Sequence, residues 1–228
     1  MNILIPMAGN GQRFKEAGYS KPKPFIDVNG QKMIELVMDN VDSTLCNKII
    51  LISISNHGAK DELKDSNRNL EIIEIEKTTE GALQTILLAE EQIKDQPLLL
   101  CNCDQTIDFS ADDFIKNSDG YDGSLVTFTS TKPHHSYVTV SDGIIDNIIE
   151  KEVISNQAVA GVYFFKNGSD LVDAAKSVIK FNKKEKGEFY VSSALQLMIY
   201  KGFRLRTFNA ESTMLGTPKE LESYLKKL

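Results

Sequence analysis

One α/β domain, built on a mixed, mainly parallel sheet flanked by helices, is the fold this sequence predicts, and three observations predict it. In the first half, short continuous apolar runs such as Ile3-Leu4-Ile5 alternate with segments of helical periodicity, at lengths suited to right-handed crossovers between parallel strands. In the second half, four strand-like runs between Ser124 and Phe165 follow one another with short connections, and Ser141-Asp142-Gly143 is a hairpin turn. No internal repeat, low-complexity tract or linker interrupts the 228 residues, a length that suits one substantial core.

Each element has its own signal. Residues 2–7 read as a fully buried strand, because their apolar positions are continuous rather than alternating. After a glycine-rich loop, residues 25–28 are a second extended piece and Asn29-Gly30 is a turn. Ile34, Val37, Met38 and Val41 recur at helical spacing, so the helix over 33–41 packs back on the first strand. A buried strand over 48–53, a polar exposed helix over 56–67 and a strand over 70–75 follow. Thr79 is placed to cap a helix over 80–93 with Leu83, Ile86, Leu87 and Ala89 inward. The strand over 97–101 ends in Asn102-Cys103-Asp104, and Asp108 reads as the cap of a helix over 110–116. Strands then fall over 124–130, 137–140, 144–149 and 159–165, with helices over 169–179 and 190–200, the second stopped by Lys201-Gly202. A strand over 203–208 precedes a last helix that starts with Thr217 as cap, Pro218 at the first helical position and Glu220 behind it.

Bulk composition narrows the function. A net charge of -6 argues against a nucleic-acid partner, so any anionic ligand must be met by locally placed cations. Cys46, Cys101 and Cys103 form no CxxC pair or Cys/His cluster, which predicts reduced thiols and no zinc site. No apolar run approaches the roughly 18 residues of a membrane span, and no basic-then-apolar leader precedes the first strand. The expected location is therefore cytoplasmic, with no membrane partner. Homodimerisation is left open, since no exposed apolar stripe stands out.

The chemistry concentrates near the start. Ala8-Gly9-Asn10-Gly11 follows a buried strand, and Arg13 comes two residues later, a pattern that wraps backbone amides and a cation around phosphates. A dinucleotide fingerprint would need a small residue where Phe14 stands and an acidic residue after the next strand; a P-loop would close on Gly-Lys-Ser/Thr instead of Gln12-Arg13-Phe14. Neither fits, which leaves a mononucleotide site or a turn with a surface arginine. Lys21-Pro22-Lys23-Pro24 is stiffened by its prolines and holds two cations beside that loop. Asp104 stands past a strand's carboxyl end, where open α/β sheets place ligand chemistry and where a carboxylate is a natural Mg²⁺ anchor. Cys101 and Cys103 read as small apolar strand residues, and His134-His135 as an exposed pair.

These pieces occur in a familiar order. Met7 to Phe14, Pro22 to Val28, Thr79-Glu80-Gly81-Ala82, Asn102-Cys103-Asp104, Glu150-Lys151, Ala160 to Phe164, Gly187-Glu188 and Gly216-Thr217-Pro218 together resemble the sugar-phosphate nucleotidyltransferase family, the pyrophosphorylases that make nucleotide sugars. The resemblance implies a Rossmann-like fold of the type shared with GT-A glycosyltransferases, with residues 1–120 as a nucleotide-binding half and 121–228 as an acceptor-binding half. It implies that Gly9, Gly11 and Arg13 hold the triphosphate, Lys23 lies against the reacting phosphates, Thr79 and Gly81 meet the nucleobase, and Asp104 binds Mg²⁺. Glu150, Lys151, Gly161, Glu188 and Tyr190 would face a phosphorylated small-molecule acceptor, with Lys151 at its phosphate. Ser136-Tyr137, Glu150-Lys151 with Ile154-Ser155, and Tyr190 resemble a branch from capsule and surface-polysaccharide loci. That branch includes cytidylyltransferases acting on phosphoglutamine, which favours CTP over UTP or dTTP. Many family members carry a second metal-binding Asp where Met214 stands here; thioether sulfur suits hard Mg²⁺ poorly, so either Glu211 substitutes, Asp104 and phosphates alone hold the metal, or the protein is not active. Two other readings follow from the same residues: a nucleotide-binding regulatory module, suggested by Met214, and a GT-A glycosyltransferase, disfavoured because Asp104-Gln105-Thr106 lacks the usual Asp-x-Asp pair.

Overall fold

The computed structural model describes residues 1–228. The first apolar run forms β1 (Asn2–Pro6), and the glycine loop passes into a short helix, α1 (Gln12–Glu16), that was not expected. The extended piece expected over 25–28 is only partly extended. Phe25 N donates to Pro22 O at 2.9 Å to close a 3₁₀ turn, and only β2 (Asp27–Val28) pairs, with β3 (Gln31–Lys32), across the Asn29-Gly30 turn. Helix α2 (Met33–Asn40) buries Met33, Ile34, Val37 and Met38, as its period requires.

After β4 (Lys48–Ile54), the helix expected over 56–67 shrinks to a 3₁₀ turn and α3 (Ala59–Glu62). Gly58 interrupts it in the left-handed region, and beyond Leu63 the sequence offers no apolar face to bury. Strand β5 (Leu70–Ile75) leads to a second correction. The single helix over 80–93 is two, α4 (Ala82–Leu87) and α5 (Glu90–Ile93), and Thr79 does not cap the first. Gly81 occupies the cap position, and the Thr79 hydroxyl donates to Gly81 O at 2.9 Å.

Strand β6 (Leu98–Cys101) is followed by β7 (Gln105–Ile107) and α6 (Ala111–Asn117). The cap of α6 is Ser110, whose hydroxyl accepts from Asp113 N at 3.2 Å, in place of the expected Asp108. Strands β8 (Gly123–Thr129), β9 (Ser136–Ser141), β10 (Ile144–Glu150) and β11 (Gln157–Phe165) match the four expected runs. Helices α7 (Gly168–Lys180) and α8 (Val191–Tyr200), strand β12 (Leu205–Asn209), the unexpected β13 (Ser212–Met214) and α9 (Pro218–Leu225) complete the chain. Thr217 caps α9, accepting from Glu220 N at 3.2 Å.

The main sheet runs β5-β4-β1-β6-β11-β8-β12, with the β9–β10 hairpin joined to β11 beyond the end of β6. Strands β5, β4, β1 and β6 are parallel to one another, as are β8 and β12; β11 alone among these seven runs against its neighbours. Continuous apolar strands are what a sheet covered on both faces requires. Ile3, Ile5, Ile49, Leu51, Leu99 and Cys101 point to the core beneath α2 and α6, whereas Leu4, Ile50, Ile52, Leu98 and Leu100 point to the core beneath α4, α7 and α8. A smaller third core joins Phe14, Ile26, Val28 and Met33 to Leu215 and Leu221, tying α1 to the last helix. Strand β13 pairs with β7, so that Met214 stands opposite Gln105 and Leu215 N reaches Asp104 O at 2.7 Å. No helix is long and apolar enough to cross a membrane.

Candidate active site

At the carboxyl ends of β1 and β6, a cavity of about 380 Å³ is lined by Gly9, Gly11, Arg13, Lys23, Asn102 and Asp104, among others. The two loops meet through an ion pair between Lys23 Nζ and Asp104 Oδ2, with side chains 17% and 25% exposed. Burial works to lower the pKa of the Lys23 ammonium, but Asp104 and Cys103 outweigh it and the net shift is upward, so this cation stays charged. Lys23 Nζ also lies 5.9 Å from the centre of the buried Phe14 ring. Arg13 is exposed at the mouth and makes no ion pair. Ala8 is buried in the core and Asn10 is exposed at the tip of the loop. Burial pushes the Cys103 thiol up to about 11, which keeps it protonated against this site.

A second cavity of about 960 Å³ shares Arg13, Asn102, Asp104 and Gly216 with the first, so the two form one cleft. Glu150, Lys151, Gly161 and Tyr190 line it, which brings four of the expected acceptor residues together. Glu150 is 8% exposed, and its Oε2 accepts from the hydroxyls of Ser136 and of Ser192, the latter at 2.7 Å. Lys151 stands in the left-handed region at φ 55°, a conformation that costs a non-glycine residue roughly 1–2 kcal/mol. Its N–H is fixed to His135 O at 3.0 Å, and its Nζ donates to the Tyr190 hydroxyl while lying 4.4 Å from that ring's centre. Burial raises the Tyr190 phenol's pKa against the opposing pull of Lys151. Gly161 sits at φ 80°, and a Cβ there would stand 2.2 Å from Asn102 Nδ2, so only glycine fits.

Five expected residues lie off the cleft wall. Ala8 and Asn10 line neither cavity, and neither do Thr79 and Gly81, although their neighbour Ala82 does. Their loop is held to the segment before α8, with Phe189 N donating to Glu80 O at 3.0 Å and Leu83 N to Phe189 O at 3.1 Å. Gly81 has φ 143°, and a Cβ on it would meet Phe189 N at 2.4 Å. Glu188 is exposed and reaches the cleft only through Tyr190, whose ionisation it opposes.

The structure gives places to residues that the sequence left without a role. Gln105 and Ser192 line the larger cavity, together with Asn102, Ser136 and Tyr163, which had entered only as members of the family and branch motifs. His134 and His135 also line it, with ring centres 4.1 Å apart; burial, then His134 and Lys132, lower the His135 pKa to about 4. The pair is thus half an exposed one: His134 is exposed, and His135 packs edge-on against Phe128 at 5.1 Å.

Mg²⁺ is compatible with the oxygens present. Met214 falls beside Asp104 through the β7–β13 pairing, but its side chain packs against the core and supplies no oxygen. Glu211 lines the larger cavity, exposed. Glu220 is placed better: a Cβ on Gly216 would stand 3.0 Å from Asp104 Oδ2 and 3.6 Å from Glu220 Oε2, so the two carboxylates flank one point of the cleft. One or two carboxylates completed by substrate phosphates are a fitting donor set for Mg²⁺.

Comparison with known proteins gives a consistent picture. The family model described as nucleotidyl transferase matches residues 3–221. The bifunctional protein GlmU of Thermodesulfovibrio yellowstonii is 26% identical over 221 residues, covering 91% of this chain and 47% of that protein. The chain thus spans about half the length of the first curated relatives it matches. Among solved structures, the nucleoside-diphosphate-sugar pyrophosphorylase from Vibrio cholerae RC9 superposes with a TM-score of 0.85 at 23% identity, covering 98% of this chain and 99% of that one. The inositol-1-phosphate CTP transferase from T. maritima does so with a TM-score of 0.79 at 17% identity, covering 99% and 97%.

Proposed function

The chain belongs to the nucleotidyl transferase family, and from that premise we propose that it joins the nucleoside monophosphate of CTP to a phosphorylated small molecule, releasing pyrophosphate. The observation that carries this reading is the shared wall of the two cavities: Arg13, Asn102, Asp104 and Gly216 face both a glycine loop suited to a triphosphate and a pocket holding Lys151. Two anions brought to that wall would meet in the cleft.

In this reading an acceptor phosphate oxygen attacks the α-phosphorus in line. A new O–P bond forms as the bond between the α-phosphorus and the oxygen bridging it to the β-phosphorus breaks, and pyrophosphate carries away that electron pair. A phosphate is already anionic at neutral pH and needs no strong base. The protein's work is to align two repelling anions and neutralise the charge that develops. Gly9 and Gly11 free the loop backbone for the triphosphate. Lys23 and Arg13 supply fixed positive charge near the α-phosphate and the leaving group, and Lys151 leaves Tyr190 to fasten the acceptor phosphate. The base would meet the entry of α4 at Ala82, which lines the larger cavity, in place of the expected Thr79 and Gly81. Asp104 and Glu220 would hold Mg²⁺, with Glu211 within the same cavity. Bound there, the ion would supply charge neutralisation on phosphate oxygens.

CTP and a capsule or surface-polysaccharide precursor are favoured by the branch resemblance around Glu150-Lys151, and the T. maritima protein's stated use of CTP on an inositol phosphate points the same way. A cytoplasmic setting suits the three free cysteines. The second reading, a regulatory module that binds nucleotide without turnover, is favoured by Met214 at the place of a metal ligand. Pyrophosphate release measured across ATP, GTP, CTP, UTP and dTTP, crossed with a panel of phosphorylated acceptors and Mg²⁺, decides between them. Release with CTP supports the proposal, nucleotide binding without release from any pair selects the module, and a purine preference removes the cytidylyl assignment.

A further inference from the structure

The exposed rim of the larger cavity gathers cations that the proposed reaction does not use. Lys132 and His134 stand on the loop between β8 and β9, and Lys219 and Lys227 on α9 and the turn that ends it; all four line the cavity. None of the three lysines forms an ion pair. The carboxylates nearby are engaged otherwise: Glu150 accepts from two serine hydroxyls and Glu220 from the Thr217 hydroxyl at 2.9 Å. In a chain of net charge -6, three unpaired lysines around one space are a local excess of positive charge that draws an anion.

Both carriers of these cations are fixed. The buried Tyr137 donates its hydroxyl to Lys132 O at 2.7 Å, and Lys132 N donates to Ser130 Oγ at 3.2 Å. Helix α9 is seated by Leu221 in the third core. Lys219, Ser223 and Lys227 recur every four residues, so one face of the helix and its final turn looks into the cavity. Over eight residues that face runs about 12 Å. Glu220, on the same helix, is close enough to His135 to act on its ionisation, so the loop and the helix face one another across the space. The rim also adjoins the place proposed for the acceptor phosphate, because Lys151 N is bonded to His135 O at 3.0 Å.

We propose that this rim is a subsite for a second anionic group, a carboxylate or a phosphoryl group that the acceptor carries away from its reacting phosphate. Lys132, Lys219 and Lys227 hold that group, with His134 as a further hydrogen-bonding partner. A lysine ammonium is a mobile point charge with three donors, so it serves either kind of oxygen. The subsite thereby selects a doubly anionic acceptor over one whose only charge is the phosphate. The inference rests on the nucleotidyltransferase reading for the position of the acceptor.

Calorimetry on the full chain tests it, with Mg²⁺ and the α,β-methylene analogue of CTP, which blocks transfer. One matched set of probes is glucose 1-phosphate, glucuronate 1-phosphate and glucose 1,6-bisphosphate; the other is phosphoethanolamine and O-phosphoserine. In at least one set a probe with the added anion should bind at least about fivefold more tightly, what one good exposed ion pair yields. The gain should shrink as NaCl rises from about 0.05 M to about 0.5 M. No gain in either set, or no binding by any probe, overturns the inference. The three lysines are exposed, so a triple variant, Lys132→Gln with Lys219→Gln and Lys227→Gln, should keep its fold. It should lose the preference while binding glucose 1-phosphate and the CTP analogue within about twofold of wild type. An intact preference in the variant, or equal losses for every probe and the nucleotide, overturns the inference, the second because it shows only a diffuse field. If thermal melts show that the variant does not fold, the wild-type series decides alone. Pyrophosphate release with CTP itself keeps the two proposals apart: selective binding without release retires the enzyme reading, and release without selectivity retires this one.

Discussion

Replacing Lys23 separates its structural role from its catalytic one. Its side chain is 17% exposed and that of Asp104 25%, so the pair is neither an open surface bridge nor a dry one. Exposed pairs contribute about 0–1 kcal/mol and breaking a buried one costs about 3–5 kcal/mol, which puts Lys23→Met at about 1–3 kcal/mol of lost stability. For a chain of this length each kcal/mol moves Tm by about 2–4 °C, so a fall of roughly 2–12 °C is expected. Because the folded pKa of Lys23 is raised above the ordinary 10.5, this contribution is full below that value and is lost as pH rises through the folded one. The Tm gap between wild type and Lys23→Met should therefore hold steady from neutral pH and close only under strongly alkaline conditions. Turnover should fall further than stability explains, by more than about 10²-fold, the cost of removing one charge-stabilising group. Pyrophosphate release at saturating CTP and acceptor, read beside thermal melts, gives both numbers. Turnover within about threefold of wild type would refute the assignment of Lys23 to the reacting phosphates, and an unchanged Tm would refute the account of the ion pair.

Three other outcomes follow from the cleft. Lys151→Ala should raise the acceptor KM with the CTP KM almost unchanged, and equal changes in both would detach Lys151 from the acceptor. Gly81→Ala should destabilise the chain by more than about 2 kcal/mol in urea unfolding, since the new Cβ would meet the Phe189 backbone at 2.4 Å in a left-handed conformation; a wild-type midpoint would mean the loop can move aside. His135, with a folded pKa of about 4 against an ordinary 6.5, is neutral in the folded chain at neutral pH, so its contribution is full above 6.5 and is lost as pH falls toward 4. His135→Phe should flatten the decline of Tm over that interval, and an unaltered slope would assign the decline to other groups.

The legible parts of this fold are those where one physical signal dominates. Continuous apolar runs announced the strands of the main sheet, and Thr217-Pro218 announced the last helix. What escaped was set by tertiary contact. Residues 80–93 have helical periodicity, yet Phe189 pins Gly81 and moves the helix start, a contact between segments far apart in sequence. Strands β7 and β13 have three residues each and exist because they find one another. In the cleft, charged residues in glycine- and proline-rich settings could be singled out from sequence. Gln105 and Ser192 could not, because a buried amide or hydroxyl looks like any other until its cavity is known.

The third core explains why the ends of the chain act on one site. Phe14 follows Arg13 directly, Leu215 precedes Gly216, and Leu221 follows Glu220; all three apolar side chains are buried against Ile26, Val28 and Met33. Each cleft-lining residue is therefore carried by an immediate neighbour that is anchored in a cluster separate from the two faces of the sheet. Phe14 is too large for a dinucleotide loop, and its size has a use here, since it fills the space between α1 and α9. A rigid small core beneath Arg13, Gly216 and Glu220 fixes the width of the cleft where the two cavities join. Sequence distance between residues 13 and 216 thus translates into a short, stiff mechanical link, and the position of Asp104 is locked to the same unit by the bond from Leu215 N.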